Sequence, residues 1–289
     1  MSDGPPRIFD RHVLALHRAR ARRIAGDAFL EREAMLGLAE RIEAVQRRFE
    51  NALLLDGSDA ALDILRPLAM HWTRAELDAH ENVAPPGEGF DLIVSVLSLH
   101  SVNDLPGVLL QIRRTLKPDG LFLAALFGGE TLHELRAALA AAEIETKGGV
   151  SPRVAPFADV RDLGALLQRA DFALPVADVE RSVVRYRELT RLVADLRAMG
   201  ETNALVERDR RPLSRLTFAA AIAHYGDSHS DEAGRLKATF DIVFLTGWSP
   251  HESQQQPLRP GSAAARLADA LHTTEQSAGE AAPNPRGRV

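Results

Sequence analysis

No cysteine occurs anywhere in the 289 residues. That excludes disulfides, thiolate metal sites and cysteine nucleophiles, and it permits a reducing compartment, with the cytoplasm as the default expectation. Aromatic residues are scarce at 5% of the chain, with two Trp and two Tyr. No stacking platform therefore accompanies the basic run Arg18, Arg20, Arg22, Arg23, which reads as a solvated helix face rather than a nucleic-acid patch. The formal charge of −5 supplies no field that would gather nucleic acid either. No apolar run approaches the roughly 20 residues of a membrane span, and no apolar leader opens the chain. A spanning segment and export are thus not expected, which leaves peripheral contact with a membrane compatible. The Arg-rich start resembles an organelle presequence, but Asp3, Asp10, Asp27 and Glu31 are residues that such segments avoid. None of the ten histidines falls in an H-E-x-x-H pattern, and no G-x-S-x-G elbow or phosphate loop is present, so no metal site is expected.

With 45% apolar and 26% charged residues, the chain has the balance of a globular protein of one or two domains. Residues 27–49 read as a helix, with Asp27 as N-cap and Leu38, Ile42, Val45 and Phe49 at i, i+4, i+7 and i+11. Ala52–Leu55 is short, apolar on both faces and ended by Asp56-Gly57-Ser58, which suits a buried parallel strand. A second such strand is expected over Phe90–Leu97, after the turn Pro85-Pro86-Gly87-Glu88-Gly89. Asn103 can cap a following helix whose stripe is Val108, Leu109, Ile112 and Leu116, and Pro118-Asp119-Gly120 stops it. Leu121–Phe127 is another apolar run. It is broken by Gly128-Gly129 and followed by an alanine-rich helix with Leu132, Leu135 and Leu139 on its stripe. Strand, helix, strand, helix in these lengths make a βαβα unit with parallel strands and right-handed crossovers.

Helices are expected again at 159–170 and through Leu189, Leu192, Val193 and Leu196. Between them Val176–Tyr186 reads as a strand with Pro175 at its entrance. Thr239–Thr246 reads as the last buried strand. The expected organisation is an N-terminal helical flank over 1–50 and an α/β domain over 51–271, with a helical insertion at about 187–235. A disordered tail follows over 272–289, where Thr, Ser, Gly, Glu, Pro and Arg replace apolar residues. The fold class is α/β, a Rossmann-like and mostly parallel sheet flanked by helices.

Open parallel sheets bind ligands beyond the carboxyl ends of their strands. Three strand ends matter: Asp56-Gly57-Ser58, Ser98 to Asp104, and Gly128-Gly129-Glu130-Thr131. A nucleoside cofactor needs a close glycine after the first strand and a later carboxylate for its ribose. The one G-x-G, Gly87-Glu88-Gly89, precedes a strand and reads as a turn. Asp56-Gly57-Ser58-Asp59 is either a degenerate cofactor loop or an ordinary strand-to-helix cap. The 33 residues between Asp56 and Phe90 hold one comfortable strand-helix-strand crossover, which takes roughly 30 residues. The cofactor wall is expected to be thin.

From Phe90 onward the chain resembles a branch of the class I S-adenosylmethionine-dependent methyltransferases. The resemblance lies in Phe90-Asp91-Leu92-Ile93-Val94-Ser95, Leu97-Ser98-Leu99-His100, Val102-Asn103-Asp104-Leu105-Pro106, Leu116-Lys117-Pro118-Asp119-Gly120 and Phe127-Gly128-Gly129-Glu130-Thr131. The more specific segments are Ser151-Pro152-Arg153-Val154-Ala155-Pro156-Phe157, Met199-Gly200-Glu201-Thr202-Asn203 and Trp248-Ser249-Pro250-His251-Glu252-Ser253-Gln254. Together they are similar to the complex I assembly methyltransferase-like proteins, known in mitochondria as arginine hydroxylases. The malonyl-acyl-carrier-protein methyltransferases of biotin synthesis are more distant. The resemblance covers about residues 7–271.

What the resemblance implies is S-adenosylmethionine as cofactor, a respiratory complex I subunit as protein partner, and the mitochondrial matrix as an alternative compartment. Its sheet ordinarily places two strands between the first strand and the Phe90 strand, with Asp-x-Gly-x-Gly after the first and an acidic residue after the second. Here the former survives as Asp56-Gly57-Ser58, and the latter has no evident counterpart. His80-Glu81-Asn82 retains one carboxylate of an Asp-Glu-Glu-like segment. The expected cofactor contacts are Asp56, Gly57, Ser58, Glu81, Leu97 and Ser98, and the expected substrate contacts are His100, Asn103, Arg153, Trp248 and His251. His100 either faces a ligand or bonds backbone, Arg153 either holds an acidic group or lies on the surface, and His251 with Glu252 either shapes the substrate mouth or caps the last strand. Methyl transfer depends mainly on positioning, which suits a sequence with few acid-base signals. The rival expectations are a binding-only assembly factor, an arginine hydroxylase and a small-molecule methylase.

Overall fold

Six strands join in one sheet of order β2-β1-β3-β4-β6-β5. β1 (Phe49–Leu55), β2 (Ala69–Ala75), β3 (Phe90–Val96) and β4 (Leu116–Gly128) pair in parallel. β5 (Ala173–Tyr186) and β6 (Leu236–Trp248) complete the sheet. The computed structural model describes residues 7–24, 28–255 and 272–274. The chain divides into a unit of residues 1–252 and a second of 253–289, and the fold described here is the first. The expected cap Asp27 lies outside the described residues, as does the tail after 274.

β1 and β3 run apolar on both faces because helices cover both sides of the sheet. Leu54, Leu92 and Val94 pack with α2 (Phe29–Ala44), α3 (Asp59–Leu65), α5 (His133–Lys147), α7 (Leu189–Ala198) and α8 (Arg215–His229). Leu53, Leu55 and Ile93 pack on the other side with α4 (Leu105–Thr115) and α6 (Val160–Arg169). Alternate side chains of a strand point to opposite faces, so these hydrophobic runs feed two separate cores. The pairing Val94↔Leu123 is parallel, as the βαβα reading requires.

Four expectations change. The helix expected to 49 ends at Ala44, and Phe49 opens β1. Asn103 does not cap α4; the Asp104 side chain does, accepting from Gly107 N at 2.9 Å. Leu116 leaves the helical stripe and begins β4, with Lys117–Gly120 bulging out between the pairs Phe90↔Leu116 and Leu92↔Leu121. Finally, β6, read as the last buried strand of a mostly parallel sheet, runs antiparallel to both β4 and β5. The reason is topological. Tyr186 pairs with Leu236, so β5 and β6 are two arms of one hairpin and 187–235 is an insertion between them at the carboxyl edge of the sheet.

The shortened interval after β1 holds α3 and β2, and residues 76–89 then return to β3 without a helix. One strand of the ordinary sheet is lost, which leaves β2 as an edge.

Candidate functional site

β1 ends in a turn that only a few side chains tolerate. Asp56 has φ +54°, a region sparsely populated by non-glycine residues. Its N–H donates to Ala75 O at 2.9 Å, and its Oδ1 accepts from Leu77 N at 2.9 Å. The carboxylate thereby stitches the end of β1 to the end of β2. The second oxygen, Oδ2, is buried with no hydrogen-bond partner and has the Arg18 guanidinium at 3.6 Å. Gly57 follows where a Cβ would meet the Leu54 side chain at 2.5 Å, so glycine lets the chain turn tightly over the core. Ser58 Oγ caps α3 by accepting from Ala61 N at 3.1 Å. At the end of β3, Leu97 has φ +43°, and Ser98 is buried with Oγ at 2.8 Å from Ser95 Oγ.

Above these ends lie two clefts of about 270 Å³ each, both bounded by Asp56, Arg18 and Arg22. Gly57, Ser58 and Leu97 floor one of them, and Glu76, Leu77 and Asp78 line the other. Over both runs α1 (Arg11–Ala21), which is absent from the sequence-level expectation as anything but a solvated face. Arg18 NH2 reaches Ser101 Oγ at 3.3 Å, and Arg22 NH2 pairs with Glu76 at 2.8 Å. The Arg18 to Arg23 run is thus partly a roof over the strand ends.

Glu76 is the acidic residue after the second strand that sequence reading did not find. β2 is an edge strand with Met70 exposed and no clean alternation, so its end could not be located from hydrophobic pattern. The usable signal was positional: the resemblance demanded a carboxylate between Asp56 and Phe90.

A third space of about 160 Å³ adjoins the first two. His100, on a short 3₁₀ turn after β3, lines it together with Phe9, Phe127, Phe157, Arg153 and Glu201. The imidazole is buried, with ring centroids 5.0 Å from Phe127 and 5.9 Å from Phe157. Phe127 N–H faces its Nδ1 at 3.5 Å, which assigns the other proton to Nε2, 3.0 Å from Glu201 Oε2. Glu201 comes from the 187–235 insertion, just after Gly200, whose φ of +79° and missing Cβ let Arg18 Cα approach to 3.3 Å of where that Cβ would stand. Burial pushes the Glu201 carboxyl up, but His100, Arg18 and His17 together hold it below its ordinary value. Glu201 lines both this cavity and the cleft beside Asp56.

The remaining expected residues are placed elsewhere. Glu81 lies outside the residues lining the clefts, and its carboxylate accepts from Asn103 N, Asn103 Nδ2 and Asp104 N, each at 2.9 Å. Asn103 clamps the N-terminal segment, its Oδ1 accepting from Ile8 N at 2.7 Å and Phe9 N at 2.8 Å. Arg153 lines the cavity, and its Nε and NH2 donate to the fully buried Glu143 at 2.9 and 2.6 Å. Ser151 and Lys147 bond the same carboxylate, and Ser151, Arg153 and Lys147 together lower its pKa to about 2 against the opposing effect of burial. Trp248 stands away from the clefts. In the antiparallel register Trp248 faces Leu121 while Asp241 faces Gly128. Trp248 is therefore about 23 Å from the carboxyl edge, at roughly 3.3 Å per residue. Ser249 closes that opposite edge, donating from N to Gly120 O at 2.8 Å. Among the described residues no cluster of three or more His, Cys, Asp or Glu could hold a metal.

A doubly covered sheet, a carboxylate and glycine turn after β1, and a second carboxylate after β2 define a Rossmann-like class I methyltransferase scaffold. The methyltransferase domain profile matches residues 26–175, just over half of the chain, and the chain belongs to that family. The chain is 49% identical over 177 residues to the mitochondrial arginine-hydroxylase NDUFAF5 of Dictyostelium discoideum, covering 61% of this chain and 40% of that one. It is 48% identical over 174 residues to the human protein of the same name, covering 60% and 50%. More distant is the malonyl-[acyl-carrier protein] O-methyltransferase of Halorhodospira halophila, 32% identical over 276 residues and covering 86% and 91%. The chain spans about half the length of the arginine-hydroxylase relatives it matches. Among solved structures, the YcgJ protein of Bacillus subtilis aligns over 74% of this chain and 98% of its own, at 13% identity and a TM-score of 0.49. The topology described above, not that alignment, carries the fold.

Proposed function

We propose that this chain binds S-adenosylmethionine across the ends of β1 and β2 and receives a basic side chain of a protein partner, a respiratory complex I subunit, in the adjoining aromatic cavity. The observation that carries this reading is Glu201, one carboxylate lining both the strand-end cleft and the aromatic cavity. A guanidinium bound there would stand beside whatever the cleft holds, which is the proximity that group transfer requires.

The residues present fit a nucleoside cofactor. Asp56 Oδ2 is buried and lacks a hydrogen bond, Gly57 lets the chain turn at the cleft floor, and Glu76 stands at the end of β2 to accept ribose hydroxyls. When bound, the cofactor supplies an electrophilic methyl group on a sulfonium. The chain's own part is to position and neutralise. His100 holds Glu201, Glu201 pairs the incoming cation, and Phe127 and Phe157 exclude water around it. The names of the two arginine-hydroxylase relatives favour arginine as the side chain.

Calorimetric titration of the full chain with S-adenosylhomocysteine tests the cofactor site. Binding that weakens about tenfold in Asp56→Asn is expected, a loss of roughly 1.4 kcal/mol. The absence of both binding heat and thermal stabilisation at millimolar ligand would overturn it. Mass spectrometry of an arginine-bearing complex I subunit then separates the chemistries, since methylation adds one methylene and hydroxylation one oxygen. A binding-only assembly factor is favoured by one observation: Arg18 and Arg22 already pair with Asp56 and Glu76. That reading expects capture of the subunit with its mass unchanged.

A further inference from the structure

We infer that α1 is a displaceable strap over the strand-end clefts, and that Arg18 is a built-in plug in the seam between the cleft at Asp56 and the cavity at Glu201. Arg11, Arg18 and Arg22 are spaced i, i+7 and i+11, which puts them on one helical face. Each meets a carboxylate from a different loop below: Arg11 with Glu81 at 3.7 Å, Arg18 with Asp56 at 3.6 Å and Arg22 with Glu76 at 2.8 Å. Two of these carboxylates, Asp56 and Glu76, are the groups that a nucleoside would approach.

Its two ends are held unequally. The amino end is pinned by backbone and side-chain bonds: Phe9 bridges Leu205, Asp10 N donates to Ala204 O at 2.8 Å, and Asn103 clamps Ile8 and Phe9. Arg208 adds an ion pair to Asp10 at 3.3 Å. Beyond that anchor, Leu14 is the one residue of α1 that is buried. The carboxyl end rests on the contact of Arg18 and Ala21 with Gly200 and on the pair of Arg22 with Glu76, whose side chains are 63% and 64% exposed. Such a pair contributes little in water. The middle pair is also loose, because Asp56 Oδ2 makes no hydrogen bond with the Arg18 guanidinium that faces it. A helix pinned at one end and held elsewhere by an exposed ion pair, one long hydrogen bond to Ser101 and a glycine contact can swing about residue 10 without unpacking the two cores of the sheet.

Arg18 gives the swing a consequence. It lines both clefts, hydrogen-bonds Ser101 and lies within electrostatic reach of Glu201. Its guanidinium therefore holds the place where a ligand in the cleft and a cation at Glu201 would meet, and both cannot be seated until it leaves. A ligand that binds the open form shifts the equilibrium by its preference for that form, and the closed form lowers its apparent affinity by the fraction of chains that are open. The inference rests on the nucleoside reading for the identity of that ligand alone.

The absence of cysteine makes the test direct. Arg20→Cys on exposed α1 and Arg114→Cys on exposed α4 carry a spin-label pair in the full chain, and pulsed electron resonance reads the separation. A single separation is expected for the otherwise unaltered chain. A second, longer one should appear with Arg18→Gln plus Arg22→Gln, with saturating S-adenosylhomocysteine, or with Arg22→Gln alone in about 0.5 M salt, where exposed pairs are screened. Arg18→Gln should tighten S-adenosylhomocysteine binding about threefold to tenfold. An unchanged separation under all these conditions overturns the strap, as does weaker binding by Arg18→Gln at unchanged separation, which leaves the nucleoside reading standing. Opening by the charge substitutions without any nucleoside binding supports the strap and removes the nucleoside reading instead.

Discussion

At the β4-β6-β5 side of the sheet the buried carboxylates Asp241 and Glu143 are locked, whereas Asp56 at the end of β1 is only half satisfied. Asp241, on β6, accepts from Arg181 Nε at 2.6 Å, Arg181 NH2 at 2.8 Å and Glu130 N at 3.1 Å. Glu143 is equally enclosed by Ser151, Arg153 and Lys147. Across the sheet, Arg18 stands 3.6 Å from a buried carboxylate oxygen that makes no hydrogen bond. Buried polar groups are costly unless satisfied, so a half-satisfied cluster marks a place kept for another partner or another conformation. One half of the molecule is scaffold, and the half that lost a strand carries the movable parts.

The largest effect that would sharpen this contrast lies in the scaffold. Phe244 on β6 is 1% exposed, fits against Gly37 and lies under the Arg41 guanidinium at 3.7 Å. Phe244→Ala should destabilise the chain by about 3–5 kcal/mol in urea unfolding. A loss under about 1 kcal/mol would break the claim that this side is the rigid one.

Next comes the locked carboxylate. Glu143 falls from its ordinary 4.5 to about 2 in the folded chain. A depressed carboxylate stabilises the fold above the unfolded value and loses that contribution as pH falls through the folded value. Stability should therefore drop by on the order of 3 kcal/mol between about pH 4.5 and pH 2. Glu143→Gln should flatten that part of the profile, and an unaltered profile would place the acid sensitivity elsewhere. The smallest effect belongs to the loose side: Arg22→Gln should change stability by less than about 0.5 kcal/mol, since its pair is exposed.

Much of the fold was legible because β1, β3 and β4 are buried on both faces, and unbroken apolar runs bounded by turn formers signal such strands. β2 was not, because an edge strand with exposed Met70 carries no such run. Of the residues expected at the site, Asp56, Gly57, Ser58 and Leu97 line a cleft at the strand ends, and His100 lines the neighbouring cavity. Ser98 turned inward to Ser95, Asn103 and Glu81 became an anchor for the N-terminus, and Arg153 became the partner of Glu143. Each of those differences is a choice of hydrogen-bond partner far away in sequence, which spacing does not reveal.

The sequence by itself determined the layered α/β scaffold, since hydrophobic periodicity and Gly-Pro punctuation act locally and leave few alternatives. It also determined that the segment after β1 is too short for an ordinary cofactor wall. Tertiary structure alone decided the direction of β6, which sent Trp248 and His251 to the opposite edge from the clefts. It alone brought Arg18, Asp56 and Glu201 together from a flank, a strand end and an insertion. The physical reason is that strand direction and ion pairing depend on where distant segments pack, and charges recognise their partners through space.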